Sequence, residues 1–509
     1  MTIHLADITV AVDDAGTTQT LRFGTDAFCS ARTDAPADTA WRPFIKDPGS
    51  IEQHMFDEAR TSGTSRIGFG VLELVNADGA LDALMDYGFD GRPLTLRAVE
   101  PGAALASAVD LVTLTMQQAE FGKRSISIRV RDLQAALAVT LASTTYAGTN
   151  VLPAGLEGTA DDLKGQPKPR LYGTVQNIAP PCVNTARLIY QVHDGAVQDI
   201  AAVYDQAVAL TRGADYLSQA DMEATAPAAG AYRAWLGGGC FRLGSSPAGQ
   251  VTADASRGAT AADRCVAKLL QAVALDAYPA VSINAADVTA LATAASGEAG
   301  HWVASADSAL QVMDELAGSV GAWFGFDAAG ALRLGQLQAP AGVASLTLGA
   351  IEIVDLDRVA NNDTANGLPV WRVRLQYGRL YTVQTTDLAG AVSAARRAEL
   401  AKEYREATVT RAAVKTKHPL AGELERRSLL LASADADAEA SRLLDLYGVD
   451  RHTWKVEARL TAAQIGALAL GMTVRLVFPR FGLAGGKNFV LIGMVRELES
   501  SRATLWLWG

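Results

Sequence analysis

The chain has 509 residues, with 45 lysines and arginines against 55 aspartates and glutamates, a formal net charge of −10. At roughly 150 residues per domain this length predicts three or four domains. The acidic balance excludes a protein that grips nucleic acid mainly by neutralising phosphates with clustered basic residues, although a mildly acidic wall would let a duplex slide past.

The opening stretch MTIHLADITVAVDD has no basic n-region and is interrupted by Asp7, so it reads as a first strand and not as a signal peptide. Short strands then dominate to about residue 130: GFGVLELVN (68–76), PLTLRAV (93–99) and a hairpin over 110–130 with its tip at Glu120 to Lys123. Between them lie a short helical pattern, ALDALMDY (80–87), and the turn Asp90-Gly91. Residues 142–169, punctuated by Gly148, Pro153, Gly155, Gly158, Gly165, Pro167 and Pro169, read as a loop or linker.

Strand patterns resume in LYGTVQNI (171–178), RLIYQVHDG (187–195) and QDIAAVYDQAVAL (198–210), and FRLGSSPAGQVTADAS (241–256) reads as a hairpin closing an irregular stretch. Helical spacing takes over near 261–275 and 285–296, and again where Ala309, Val312, Met313, Leu316, Ala317 and Val320 fall on one face. Ser305 is the expected cap of that last helix and Gly321 its stop, after which 322–326 and 331–334 form a hairpin through Asp327-Ala328-Ala329-Gly330. From 346 the pattern is again β, with a long strand pair over 371–388 and charged helices near 394–406 and 434–447. The final ~60 residues read as hairpins. In their last strand Leu505 and Leu507 face one way and Trp506 and Trp508 the other, so both faces should be covered, one by a core and the other by a helix or a neighbouring subunit.

Candidate chemistry is sparse. Cys29, Cys182, Cys240 and Cys265 lie far apart without a CxxC pair, which favours free or buried thiols over a metal or iron–sulfur site. The six histidines show neither HExxH nor an i, i+4 pair. Gly244-Ser245-Ser246-Pro247-Ala248 has alanine where a nucleophile elbow needs its final glycine, and Gly237-Gly238-Gly239 lacks a Walker lysine, so both read as turns. The Asp/Asn-rich segment 355–366 offers oxygen ligands but not the spacing of a calcium loop, and reads as a polar connection. Asp435, Asp437 and Glu439 suit the start of a helix, and Arg396, Arg397, Arg426 and Arg427 read as solvated helix faces. No catalytic, cofactor or metal residue is assigned, and the chain is not expected to be an enzyme. No window of ~18 uninterrupted apolar residues occurs, so no stable membrane insertion is expected.

Taken in order, several blocks resemble the baseplate or tail-tip hub proteins of siphophage-type bacteriophages and related prophage or gene-transfer particles. They are residues 68–97, VYDQAVALTRGADY (203–216), FRLGSSPAGQVTAD (241–254), the helix–hairpin block at 305–337, and residues 470–509. The resemblance implies a β-rich α+β, multidomain fold in which two tube-like β-barrels are joined by smaller helical or mixed domains. On that reading residues 1–140 are the first β-rich region, 141–170 a linker, 171–255 its continuation, 256–345 a helical junction and 346–509 the second barrel region. It further implies a homotrimer at the tail tip of a virion, assembled in the host cytoplasm. Its partners would be distal tail or tail-tube rings, the tape-measure protein, other hub, fibre or spike proteins, and passing DNA. No cofactor is implied. The competing expectations are a tail-associated cell-wall hydrolase and a receptor-binding adhesin.

Overall fold

The computed structural model describes residues 2–56, 63–64, 70–131, 133–327, 329–340, 342–359, 368–497 and 502–509. The fold is β-rich and multidomain, with two seven-stranded sheets, two of five strands, and smaller sheets of four, three and two. The first seven-stranded sheet is wholly antiparallel and runs Thr18–Gly24, Ile3–Ala11, Pro93–Val99, Val109–Phe121, Ser125–Arg131, Gly70–Val75, Ile45–Asp47. Alternation sets its faces: Ala6, Ile8 and Val10 point into a core, while Ile3 and Leu5 on the opposite face are covered by Phe28 and Trp41.

The second seven-stranded sheet is built mostly from the C-terminal end of the chain. Its path is Leu346–Leu348, Thr473–Leu476, Lys487–Glu497, Arg502–Trp508, Thr453–Arg459, Ile353–Val359. The seventh strand, Ser50–His54, comes from the N-terminal region. Inward residues of both sheets, among them Ile8, Leu114, Val456 and Leu505, belong to one continuous apolar cluster. At about 25 cal/mol per Å² this shared burial is the main force holding the two ends of the chain together. The last strand behaves as its composition requires: Leu505 and Leu507 lie in the shared core, and Trp508 packs on the other face against Tyr447 of the helix Ser433–Tyr447.

Between these sheets lie three smaller bodies. Strands from Arg170–Ile178 to Val251–Arg257, joined by Gly300–Val303, form the two five-stranded sheets around a core that includes Val203, Tyr232 and Phe241. The helices Val266–Ala277, Ala285–Ala294 and Ala309–Gly318 pack on a four-stranded sheet of Ser282–Ile283, Ala331–Gln336, Ala322–Phe326 and Gly63–Thr64. A three-stranded sheet, Arg405–Thr410, Arg372–Tyr377, Glu423–Arg427, carries the helix Ser433–Tyr447 on one face.

Several local expectations are corrected. FRLGSSPAGQVTADAS is not a hairpin: Cys240–Leu243 and Val251–Arg257 lie in different five-stranded sheets, and the segment between them crosses from one to the other. Within QDIAAVYDQAVAL the chain reverses at Gln206 and Ala207, both at positive φ, to give a tight hairpin. Over 371–388 only Arg372–Tyr377 is a strand, and its partners are Arg405–Thr410 and Glu423–Arg427. Beyond Gly378, Tyr381 leaves the sheet and seats its hydroxyl 3.2 Å from His301 Nδ1. The helix expected over 394–406 ends at Leu400, and 80–87 contains a short 3-10 turn, Asp82–Asp86. Ser308, not Ser305, caps Ala309–Gly318, through a reciprocal box with Gln311.

Candidate functional site

The seam between the two seven-stranded sheets is where the fold does something local sequence does not announce. Ile45–Asp47 pairs with Gly70–Val75 in the first sheet, and three residues later the chain joins the second. Gly49 makes this change of sheet possible. Its φ of +84 suits glycine, and a Cβ there would press into the carbonyl oxygen of Val71. Ser50–His54 then runs antiparallel to residues Gly493 to Glu497, completing a strand edge whose first half, Lys487 to Val490, is taken by Thr473–Leu476. At Gly493 the missing side chain leaves room for the His54 ring, which meets Trp506 at 4.7 Å between centroids.

Behind this edge Arg496 is 1% exposed. Its Nη1 donates to the Leu111 carbonyl at 2.8 Å and its Nη2 to Gln53 Oε1 at 3.0 Å. One side chain thus ties the last β-hairpin to a strand of the first sheet and to the strand that crosses over. Burial pushes the Arg496 pKa down to about 10, which leaves it charged at neutral pH. Without a carboxylate in these contacts, the guanidinium is held by two charge-assisted hydrogen bonds against its desolvation cost.

A second tie holds the helical junction to the C-terminal region. All six apolar residues expected on one face of the Ala309–Gly318 helix and its exit are buried. On the far side, Arg442 donates to the carbonyls of Leu337 and Val320 at 3.0 and 3.2 Å and is itself held by Glu439 at 2.7 Å. Ser428 Oγ donates to the Ser319 carbonyl at 2.8 Å, and Ser319 Oγ accepts from the Leu429 amide. Glu439 therefore does more than offset the helix dipole. This clamp escaped the sequence reading because its partners are more than 100 residues apart.

The other candidate residues take structural places. Ser245 Oγ accepts from the Gly230 amide, and Gly238 ends a short 3-10 turn, Leu236–Gly238. Asp435 lies in the first turn of its helix. Arg396 pairs with Glu399 at 2.7 Å, and Arg397 donates to the carbonyls of Val392 and Ala389. Arg426 and Arg427 are on the strand Glu423–Arg427 and not on a helix, and burial behind Ser433–Tyr447 lowers the pKa of Arg426. All four cysteines are free, and burial pushes the Cys240 thiol up to about 12, away from reactivity. His193 accepts from the Leu171 amide at 3.0 Å, and burial drops its pKa to about 3. Among the described residues no three His, Cys, Asp or Glu side chains are grouped to hold a metal ion, and residues 360–366 of the Asp/Asn-rich segment lie outside them. No helix among the described residues is long and apolar enough to cross a membrane.

No family model and no curated protein matches the chain. Among solved structures it is similar to the tail protein from Neisseria meningitidis MC58, at 11% identity and a TM-score of 0.43, covering 99% of this chain and 96% of that one. It is similar to the 43 kDa tail protein of prophage MuSo2 from Shewanella oneidensis, at 11% identity and a TM-score of 0.39, covering 99% and 98%. A third is the prophage tail protein gp18 from Listeria monocytogenes EGD-e, at 8% identity and a TM-score of 0.40, covering 100% and 94%. All three of these structural neighbours are tail proteins, two of them from prophages.

Proposed function

We propose that the chain is a structural protein of a phage-type tail, the hub of its tip or baseplate, located in the virion after assembly in the host cytoplasm. The observation that carries this reading is the seam. A single chain places two seven-stranded sheets side by side on one core, with the strand Ser50–His54 of the N-terminal region built into the C-terminal sheet. In the proposal, residues 1–140 and 346–509 each supply a tube-forming unit, 256–345 is the junction, and three copies make a ring of six like units. Such a ring matches a sixfold tail tube on one face and offers threefold symmetry to a fibre or spike on the other.

The role is mechanical. The hub caps the tube around the tape-measure protein, and a shift between two packings of the ring opens the channel to DNA. The shared core and the Arg496 tie support this role, because both sheets must move as one body for the ring to transmit force. Labelling particles with an antibody against the chain tests the assignment. Label confined to the tip of the tail supports it, whereas label along fibres, or release of cell-wall fragments by the purified chain, removes it.

A further inference from the structure

One end of the C-terminal sheet carries charge that the rest of the fold does not use. The pairing of Ile353–Val359 with Thr453–Arg459 sets Arg358 opposite Trp454. Phe481, on the connection between Thr473–Leu476 and Lys487–Glu497, packs on Trp454 at 5.3 Å between centroids, and Arg480 lies 4.8 Å from the Phe481 ring. His452 adjoins the same end: burial, then Arg358 and Lys487, lower its pKa, and its Nδ1 is buried without a hydrogen-bond partner.

Some cations of the C-terminal region have carboxylates, as Lys417 has Asp450, Arg411 has Asp445 and Arg502 has Glu457. Among the described residues Arg358, Arg480 and Lys487 have none. In a chain of net charge −10, three cations thus gather at one end of the sheet, with Asp450 the carboxylate that also acts on His452. Phe481 is unusual in a second way. It is 56% exposed and its φ is +59, a left-handed backbone that costs a side-chain-bearing residue roughly 1–2 kcal/mol. Half-exposed, the ring recovers only part of that cost within this chain.

We propose that this end of the C-terminal sheet is a docking surface for an acidic protein segment, which sets an apolar side chain beside Phe481 and carboxylates against Arg358, Arg480 and Lys487. An exposed aromatic ring flanked by arginine is the composition of a protein–protein contact. A phosphate backbone would meet the cations but leave Phe481 in water. The inference does not depend on the hub reading, since any acidic, apolar-tipped partner fits.

The test uses the full chain and a short labelled peptide that alternates glutamate and leucine, followed by fluorescence anisotropy. Saturable binding is expected, weakened about ten-fold by R480E with K487E and several-fold by F481A, and weakened again in ~0.5 M salt. All three positions are exposed, and circular dichroism of the variants confirms that the fold is kept. Absence of saturable binding overturns the proposal. So does tight binding of duplex DNA with none of the peptide, or self-association that R480E with K487E abolishes while the peptide stays unbound.

Discussion

Replacing Arg496 tests whether the seam is a structural joint. Removing the guanidinium forfeits two charge-assisted hydrogen bonds, to the Leu111 carbonyl and Gln53 Oε1, each worth about 1.5–3 kcal/mol. It also releases the desolvation cost that drives the Arg496 pKa from 12.5 to about 10, on the order of 3 kcal/mol. For Arg496→Met, which keeps most of the volume, the two nearly offset, and a loss of about 0–3 kcal/mol is expected. Arg496→Ala adds a cavity in a fully buried position, about 2–3 kcal/mol more. Hydrogen exchange of the backbone amides in 50–54 and 493–497 reads this locally, without requiring the whole multidomain chain to unfold in two states. Exchange there should quicken by about thirty-fold or more in the alanine variant and clearly less in the methionine variant. Unchanged exchange in Arg496→Ala, or equal loss in both variants, would refute the reasoning.

Met313→Asp or Leu316→Asp places a charge inside the junction core and should abolish soluble, folded protein, since several kcal/mol is a large part of typical stability; normal yield and melting temperature would contradict the packing. Gly49→Ala forces a Cβ against Val71 at positive φ and should lower the melting temperature measurably, with the added exchange confined to the seam. Buried, neutral His193 and His301 have pKa values depressed to about 3 and about 4. The unfolded chain therefore takes up protons first, and stability should be full above about pH 6.5 and fall steadily as pH drops toward 4. Thermal melts at pH 7, 6 and 5 check this, and His301→Gln should flatten part of the slope; a rise in melting temperature on acidification would reverse the sign and sink the argument.

Legibility followed the range of the interactions. The buried face of Ala309–Gly318 could be read residue by residue because a 3.6-residue period is a local signal. So could the two-sided burial of the strand ending at Trp508. The cap expected at Ser305 falls at Ser308, because the serine three residues later, with Gln311 in reach, makes the better box. The 241–256 and 371–388 hairpins failed for a different reason. Adjacent strand-like runs usually pair with each other, yet here Cys240–Leu243 pairs with Ala231–Trp235 before it, while Val251–Arg257 and Arg372–Tyr377 find partners tens of residues away. Arg496 was invisible as a core residue because a charged residue in an alternating strand reads as outward-facing. Only the arrival of Gln53 and Leu111, supplied by the far end of the chain, makes its burial tolerable.

In the proposed assembly three copies form a ring to which each subunit contributes two tube-forming units. Native mass spectrometry of the purified chain, with negative-stain imaging of the same sample, addresses it most directly. The account predicts a trimer seen as a ring with six similar lobes around a channel. A stable monomer at all concentrations, both alone and mixed with tail-tube protein, would contradict it.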